Sequence, residues 1–378
     1  MGKDKVKVIK QKKKINFASV WKFIRTLWKN DAVVEVATTT KWWWSLIIFV
    51  LSLVISVLPA TVNQATAQGR NFLSNTNTSY SDPYINGLYA YLNDTSEDKN
   101  IVFDGESKTL SSSTNTSGYY DADISNKIFA NGTRALKPLY TYSRTVTNSG
   151  LETITNYLDI YVCYQSNGVV DLNTILENIQ STNTNYADGH ITDDSLKNTR
   201  QTPFILFTND GFYAVNYSSS GSTSLSGNYN HMSEVFDFAS GQYSFKDVLN
   251  YNVSTTSTIS EKQSAVFENF LTYCDYTYID IRFNSTWVTF GIYCGVNGSI
   301  MILMGLILWL MCRGKNNPNN KIKIWETYSM AFWAAGSPAI LSLFAFLMPQ
   351  IGMMIFIMLY AFRIMYLSMK HLRPVYQW

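Results

Sequence analysis

The chain has 378 residues, of which 46% are hydrophobic, 15% aromatic and only 15% charged, too apolar and too poor in charge for an ordinary water-facing globule. Its net charge of +3 hides a segregation: residues 1–41 carry 11 Lys+Arg and 3 Asp+Glu, residues 63–285 carry 12 and 23, and residues 286–378 carry 7 and 1. An acidic middle between basic ends set off by apolar runs excludes a simple nucleic-acid binder and places opposite faces of the chain in different compartments.

In the basic lead, residues 1–41, the positions Phe17, Val20, Trp21, Ile24, Leu27 and Trp28 recur at spacings of three and four, which predicts an amphipathic helix over about 17–30. With Lys22, Arg25 and Lys29 among its other positions, this helix is expected to lie in the membrane interface; docking on a partner subunit is the competing reading. The preceding Lys12, Lys13 and Lys14 form a solvated tract attracted to anionic lipid.

Residues 42–62 form the first predicted span, since about 20 mostly apolar residues cross a hydrocarbon core roughly 30 Å thick. The long lead argues against a cleaved signal peptide. Trp42, Trp43 and Trp44 sit beside Lys41, where anchoring at headgroup level is expected; Trp21, Trp28 and Trp287 are assigned the same part.

Residues 63–285 are read as an inserted domain. Ser/Thr/Asn-rich stretches near 74–82 and 110–118 predict loops, and residues 158–164 and 273–283 predict strands, the latter running stiffly into the next span. Phe204 to Phe207, then Thr208-Asn209-Asp210-Gly211, then Phe212 to Val215 predicts a hairpin, because Asp-Gly supplies the positive φ of a tight turn. Helices are expected over 172–179 and after a Ser260 cap, with Ala265, Val266, Phe267 and Phe270 on one face, so the domain reads as α+β. Cys163 and Cys274 are its two cysteines, and the sequence does not settle whether they pair. Asp188, His190, Asp193 and Asp194 read as a solvated acidic loop before a cation site. The many tyrosines, among them Tyr119, Tyr120, Tyr157, Tyr161, Tyr164, Tyr213, Tyr273, Tyr276 and Tyr278, read as core packing first, with contact to a carbohydrate ligand as the lesser reading.

Residues 286–312 form the second span, in which Gly291 and Gly295 make a small-xxx-small packing pair, Asn297 needs a hydrogen-bond partner, and Cys294 and Cys312 are buried thiols. A basic loop, 313–327, leads to the third span, 328–348, whose stretch from Ala334 to Pro338 is small and kink-prone and is expected to pack on the second. Pro349-Gln350 turns the chain into a fourth span, 351–369, and a tail, 370–378. Arg363 is the charge inside this last span; the readings are snorkelling toward headgroups, which is preferred, or a functional contact.

Basic segments stay on the cytosolic side. The fold class is therefore an α-helical integral plasma-membrane protein with four transmembrane helices, both termini cytoplasmic, and an extracytoplasmic α+β domain between helices 1 and 2. The three histidines, His190, His231 and His371, are far apart, and no H-E-x-x-H, G-x-x-x-x-G-K or G-x-S-x-G motif occurs. No enzyme activity, metal or cofactor is expected.

Ser56-Val57-Leu58-Pro59 ending the first span, the Asp-Gly hairpin, and Trp325 with Ser337-Pro338 in the later helical hairpin carry a resemblance. The layout resembles a family of membrane proteins of Gram-positive bacteria and their wall-less relatives that includes maltodextrin-utilisation proteins encoded beside sugar ABC importers. The resemblance implies a non-catalytic accessory protein that docks on other membrane subunits, an ABC transporter among them. The alternatives are a transport-competent subunit using Asn297, Pro338 and Arg363, and a membrane-tethered enzyme.

Overall fold

The computed structural model describes residues 17–74, 78–96, 99–111, 138–148, 151–163, 176, 179, 202–218, 221–236, 241–313, 317–347 and 352–372. Three helices open the chain, α1 (Phe17–Arg25), α2 (Asn30–Thr39) and α3 (Trp42–Ala65). An α/β region follows: α4 (Asn71–Ser74), α5 (Thr78–Asn93), β1 (Val102–Asp104), β2 (Thr109–Leu110), β3 (Tyr140–Asn148), β4 (Leu151–Cys163), β5 (Phe204–Thr208), β6 (Gly211–Ser218), β7 (Gly221–Asn228), β8 (Gln242–Ser244), α6 (Phe245–Leu249) and α7 (Ile259–Thr277). The chain then runs through α8 (Ile279–Cys312), α9 (Ile324–Ser342) and α10 (Gly352–Leu367). It divides into two compact units, a helical one of Met1–Thr66 with Ser285–Trp378 and an inserted one, Ala67–Asn284.

The inserted unit is built on a sheet of order β3-β4-β5-β6-β7, antiparallel except where β4 and β5 run parallel. All of β5 is buried, as a central strand covered on both faces should be. Leu158, Ile160, Val162, Ile205, Phe207, Phe212 and Ala214 face a core completed by Tyr84 of α5 and Val266, Phe270 and Tyr273 of α7; Tyr161, Cys163, Phe204, Leu206 and Val215 face a smaller cluster. A second antiparallel sheet, β2-β1-β8, adds Phe103, Leu110 and Tyr243 to the larger core.

Several expectations change here. The predicted strand over 273–283 is helical in α7 and α8. Its alternating pattern coincides with a helical repeat, Val266, Phe270, Tyr273, Cys274 and Thr277, all on the buried face of a helix already begun upstream. The cap of α7 is Thr258, two residues before Ser260, because Glu261 returns its carboxylate to the Thr258 amide at 2.8 Å while Thr258 Oγ1 accepts the Glu261 amide at 3.4 Å. The loop expected near 74–82 gives way to α5 from Thr78 onward. The hairpin forms, with Phe207 opposite Phe212, yet among the described non-glycine residues only Lys108 and Asn252 have positive φ, so Asn209 and Asp210 turn without it. Gly211 lies in the strand, where a Cβ would come within 3.1 Å of Thr208 Oγ1 and 3.3 Å of Tyr213 Cε2; close approach is its reason. The 172–179 helix falls mostly outside the described residues, with Leu176 and Ile179 helical. The 110–118 loop lies outside them beyond Ser111, and the Pro349-Gln350 turn and the cluster of Asp188, His190, Asp193 and Asp194 lie outside them entirely.

Among the described residues three helices are long and apolar enough to cross a membrane: Trp42–Ala65, Ile279–Cys312 and Ile324–Phe346. The fourth expected span is α-helical for 16 residues, a rise of about 24 Å, and continues as one π-helical turn, Ser368–Leu372. The Ile324–Phe346 helix is central, 56% of its most apolar window being buried against 28% for each of the other two. Ala331, Ala334, Ala335 and Ala339 let α9 approach its neighbours closely.

Candidate functional site

The polar groups of the helical unit are where an apolar bundle carries specificity, because each must find a partner away from water. Arg363 of α10 is the most connected. Pro338 has no amide hydrogen, which frees the Ala334 carbonyl one turn earlier in α9; Arg363 Nη1 donates to that oxygen at 3.0 Å. The same guanidinium donates to Ser337 Oγ, to Asn30 Oδ1 at 3.3 Å, and to the carbonyl of Thr26, just past the negative end of α1. Arg363 therefore does not snorkel outward: its side chain is drawn inward by oxygens on two other parts of the bundle.

That arrangement redraws the basic lead. One helix over 17–30 was expected, and the structure has two, α1 and α2, separated at Thr26–Lys29, where Thr26 Oγ1 donates to the Phe23 carbonyl at 2.6 Å. Ala32, Val33, Val36 and Ala37 of α2 are buried in the bundle. Phe23 stacks on Trp333 with centroids 5.2 Å apart, while Leu27 Cδ2 would lie 3.3 Å from a Cβ at Gly336. Lys22 pairs with Glu35 at 2.9 Å across the two helices. The predicted anchors Trp21 and Trp28 stay outward, 51% and 56% exposed and in edge contact with each other at 6.0 Å. Trp42, Trp43, Trp44 and Trp287 are also exposed, and Trp43 stacks on Trp44 at 4.3 Å.

Two further polar contacts join helices. Asn297 of α8 is fully buried and donates to Ser56 Oγ of α3 at 2.9 Å. Ser45 of α3 accepts from Trp333 Nε1 at 3.1 Å and shares a 2.5 Å hydrogen bond with Ser329, both on α9. Gly291 and Gly295 do not take part: a Cβ at either would meet nothing within 4 Å. The small residues of α8 that do pack lie further on, where Gly298 faces Leu53 and Phe49, and Gly305 sits so close that a Cβ would be 2.4 Å from Tyr328. With Met301, Leu308 and Cys312 buried as well, the seam repeats every three and four residues from Gly298.

No family model, no curated protein and no solved structure matches the chain.

In the inserted unit His231 has its Nδ1 2.9 Å from Glu234 Oε1 and its Nε2 2.8 Å from Asp280 Oδ1. The other Asp280 oxygen accepts from Asn228 at 2.9 Å and Asn230 at 2.6 Å. Asp280 lies 49 residues from His231 in the chain, so no local motif marks the pair. Among the described residues no group of three or more His, Cys, Asp or Glu is placed to share a metal ion. Cys163 and Cys274 are free and buried in separate clusters, so they do not pair. Burial pushes the Cys163 thiol up to about 12 and raises Cys274 also, which makes both poor nucleophiles. Tyr161 and Tyr273 are buried core rings; Tyr213, Tyr276 and Tyr278 are half-buried against the same cores.

Proposed function

We propose that this chain is a non-catalytic accessory protein of the bacterial plasma membrane. It crosses the bilayer four times, with α3, α8, α9 and α10, keeps both termini in the cytosol, and holds the acidic inserted unit outside. Its partner is another membrane complex, with an ABC-type sugar transporter as the one the family resemblance favours. The excess of Lys and Arg in residues 1–41 and 286–378 supports this orientation.

The observation that carries the docking role is the bare Gly291–Gly295 ridge. Small residues in a membrane helix serve close helix approach, yet among the described residues no neighbour lies within 4 Å of a Cβ at either position, while Val288 and Ile292 beside them are 60% and 58% exposed. A transmembrane helix of the partner fits that ridge. Replacing both glycines with Ile, at positions where a Cβ meets nothing among the described residues, is expected to abolish co-purification with the partner in mild detergent, at unchanged melting temperature. Co-purification that survives the double substitution sinks the docking face.

The transport reading draws on Asn297, Pro338 and Arg363. Asn297 is tied to Ser56, and Arg363 to the carbonyl that Pro338 frees, so these groups serve helix joining in this reading.

A further inference from the structure

A groove of about 440 Å³ opens in the helical unit between α3, α8 and α9, lined by Trp42, Leu46, Ile302, Trp325, Tyr328 and Phe332, with Ser45 and Ser329 among its walls. Its volume is in the range of small-molecule sites, roughly 300–1,000 Å³. The two hydroxyls do not make it polar: Ser45 and Ser329 are hydrogen-bonded to each other, and Ser45 also accepts from Trp333. Those bonds leave a single hydroxyl proton for a solute, and the rest of the lining is aromatic and aliphatic, which a hydrocarbon chain fits without losing hydrogen bonds. At one end the groove changes character. Trp42 and Trp325, 70% and 72% exposed, flank it, and the residues immediately preceding Trp42 and Ile324 are the exposed lysines Lys41 and Lys323. Both α3 and α9 begin here, so two positive helix ends add to two ammonium groups. Glu326 opposes them, but its carboxylate is held by the Lys323 amide at 2.8 Å, and the N-cap of α3 has no side-chain acceptor.

We propose that this groove binds one acyl chain of an anionic phospholipid, whose phosphate rests between Lys41 and Lys323. Charge complementarity at the rim selects an anionic lipid over a second protein helix, which would bring no phosphate. The inference rests on the membrane-embedded reading of α3, α8 and α9 and requires neither their orientation nor a partner complex.

The full chain, reconstituted with equal parts phosphatidylglycerol and phosphatidylcholine and then stripped with mild detergent, tests it by mass spectrometry of the retained lipid. Phosphatidylglycerol is expected to stay bound in preference to phosphatidylcholine. Ile302→Trp, at a half-exposed wall position, is expected to expel it by filling the groove. Lys41→Gln with Lys323→Gln, both at exposed sites that leave the fold intact, is expected to weaken retention about thirtyfold. Equal retention of the two lipids, or retention unchanged in either variant, overturns the proposal, as does a photoreactive group at Leu46 that crosslinks a protein helix in place of lipid. Failure of the chain to stay in membranes through an alkaline wash removes the membrane reading along with it; a chain that stays but retains no phosphatidylglycerol removes this inference alone.

Discussion

Arg363 shows how one side chain can hold a bundle together. Its acceptors are Thr26 in the α1–α2 turn, Asn30 at the start of α2, Ser337 of α9 and the α9 carbonyl that Pro338 leaves free. At an average of about 0.6 kcal/mol per hydrogen bond in a membrane protein, four such bonds contribute about 2 kcal/mol. Arg363→Ala is expected to lose that amount in detergent unfolding, and Arg363→Lys to recover only part of it, since an ammonium cannot fork to several oxygens in one plane. Equal stability of Ala, Lys and wild type would show the guanidinium to be incidental. The sequence held half of this: an Arg inside an apolar run and a Pro four residues after Ala334 were both visible, but which oxygens they meet depends on a fold that brings residues 26, 334 and 363 together.

His231 contributes a pH dependence to the inserted unit above about pH 6. Hydrogen bonds to Asp280 and then Glu234 favour the imidazolium, so its pKa is raised from the ordinary 6.5. A raised folded-state pKa stabilises the fold fully below the unfolded value and loses that contribution as pH rises through the folded one. The unfolding midpoint of the full chain is thus expected to fall as pH climbs from about 6 toward alkaline values, and His231→Gln to flatten the slope. A midpoint in wild type that rises over that window contradicts the network.

Among the elements, α8 illustrates what periodicity can and cannot say. Its apolar length announced a span, but two small-residue pairs, Gly291 with Gly295 and Gly298 with Gly305, compete for the packing face, and among the described residues only the second pair meets a neighbour. Gly305→Ala puts a methyl 2.4 Å from the Tyr328 ring and is expected to destabilise by about 1–3 kcal/mol, whereas Gly291→Ala changes nothing measurable in thermal unfolding. A tolerated alanine at Gly305 would mean the seam lies elsewhere. The same limit explains the strand expected over 273–283: alternation and helical spacing overlap in so short a window, and the capping box at Thr258 and Glu261, fifteen residues upstream of it, decided between them. The β5–β6 hairpin, by contrast, was legible because two strongly β-prone runs flank a short polar turn whatever its φ values.

For the molecule as a whole, composition by segment told more than any motif. Three membrane-length helices among the described residues follow from hydropathy, and the proposed orientation rests on where the lysines and arginines fall. A reporter fused after Trp378 is expected to be active only in the cytosol, with protease added to intact cells cutting within the inserted unit. External activity of that reporter would require an odd number of crossings and reverse the assignment of faces.

The tether at Arg363 also sets an order of events during synthesis. Asn30 and Arg363 are 333 residues apart. At roughly 5–20 residues per second the ribosome needs about 20–70 s to cover that interval. The first helices thus emerge long before the residue that fastens them exists. Until α9 is made, Phe23 and Leu27 lack Trp333 and Gly336, and a message truncated before α10 would yield a product without the guanidinium that fastens the lead.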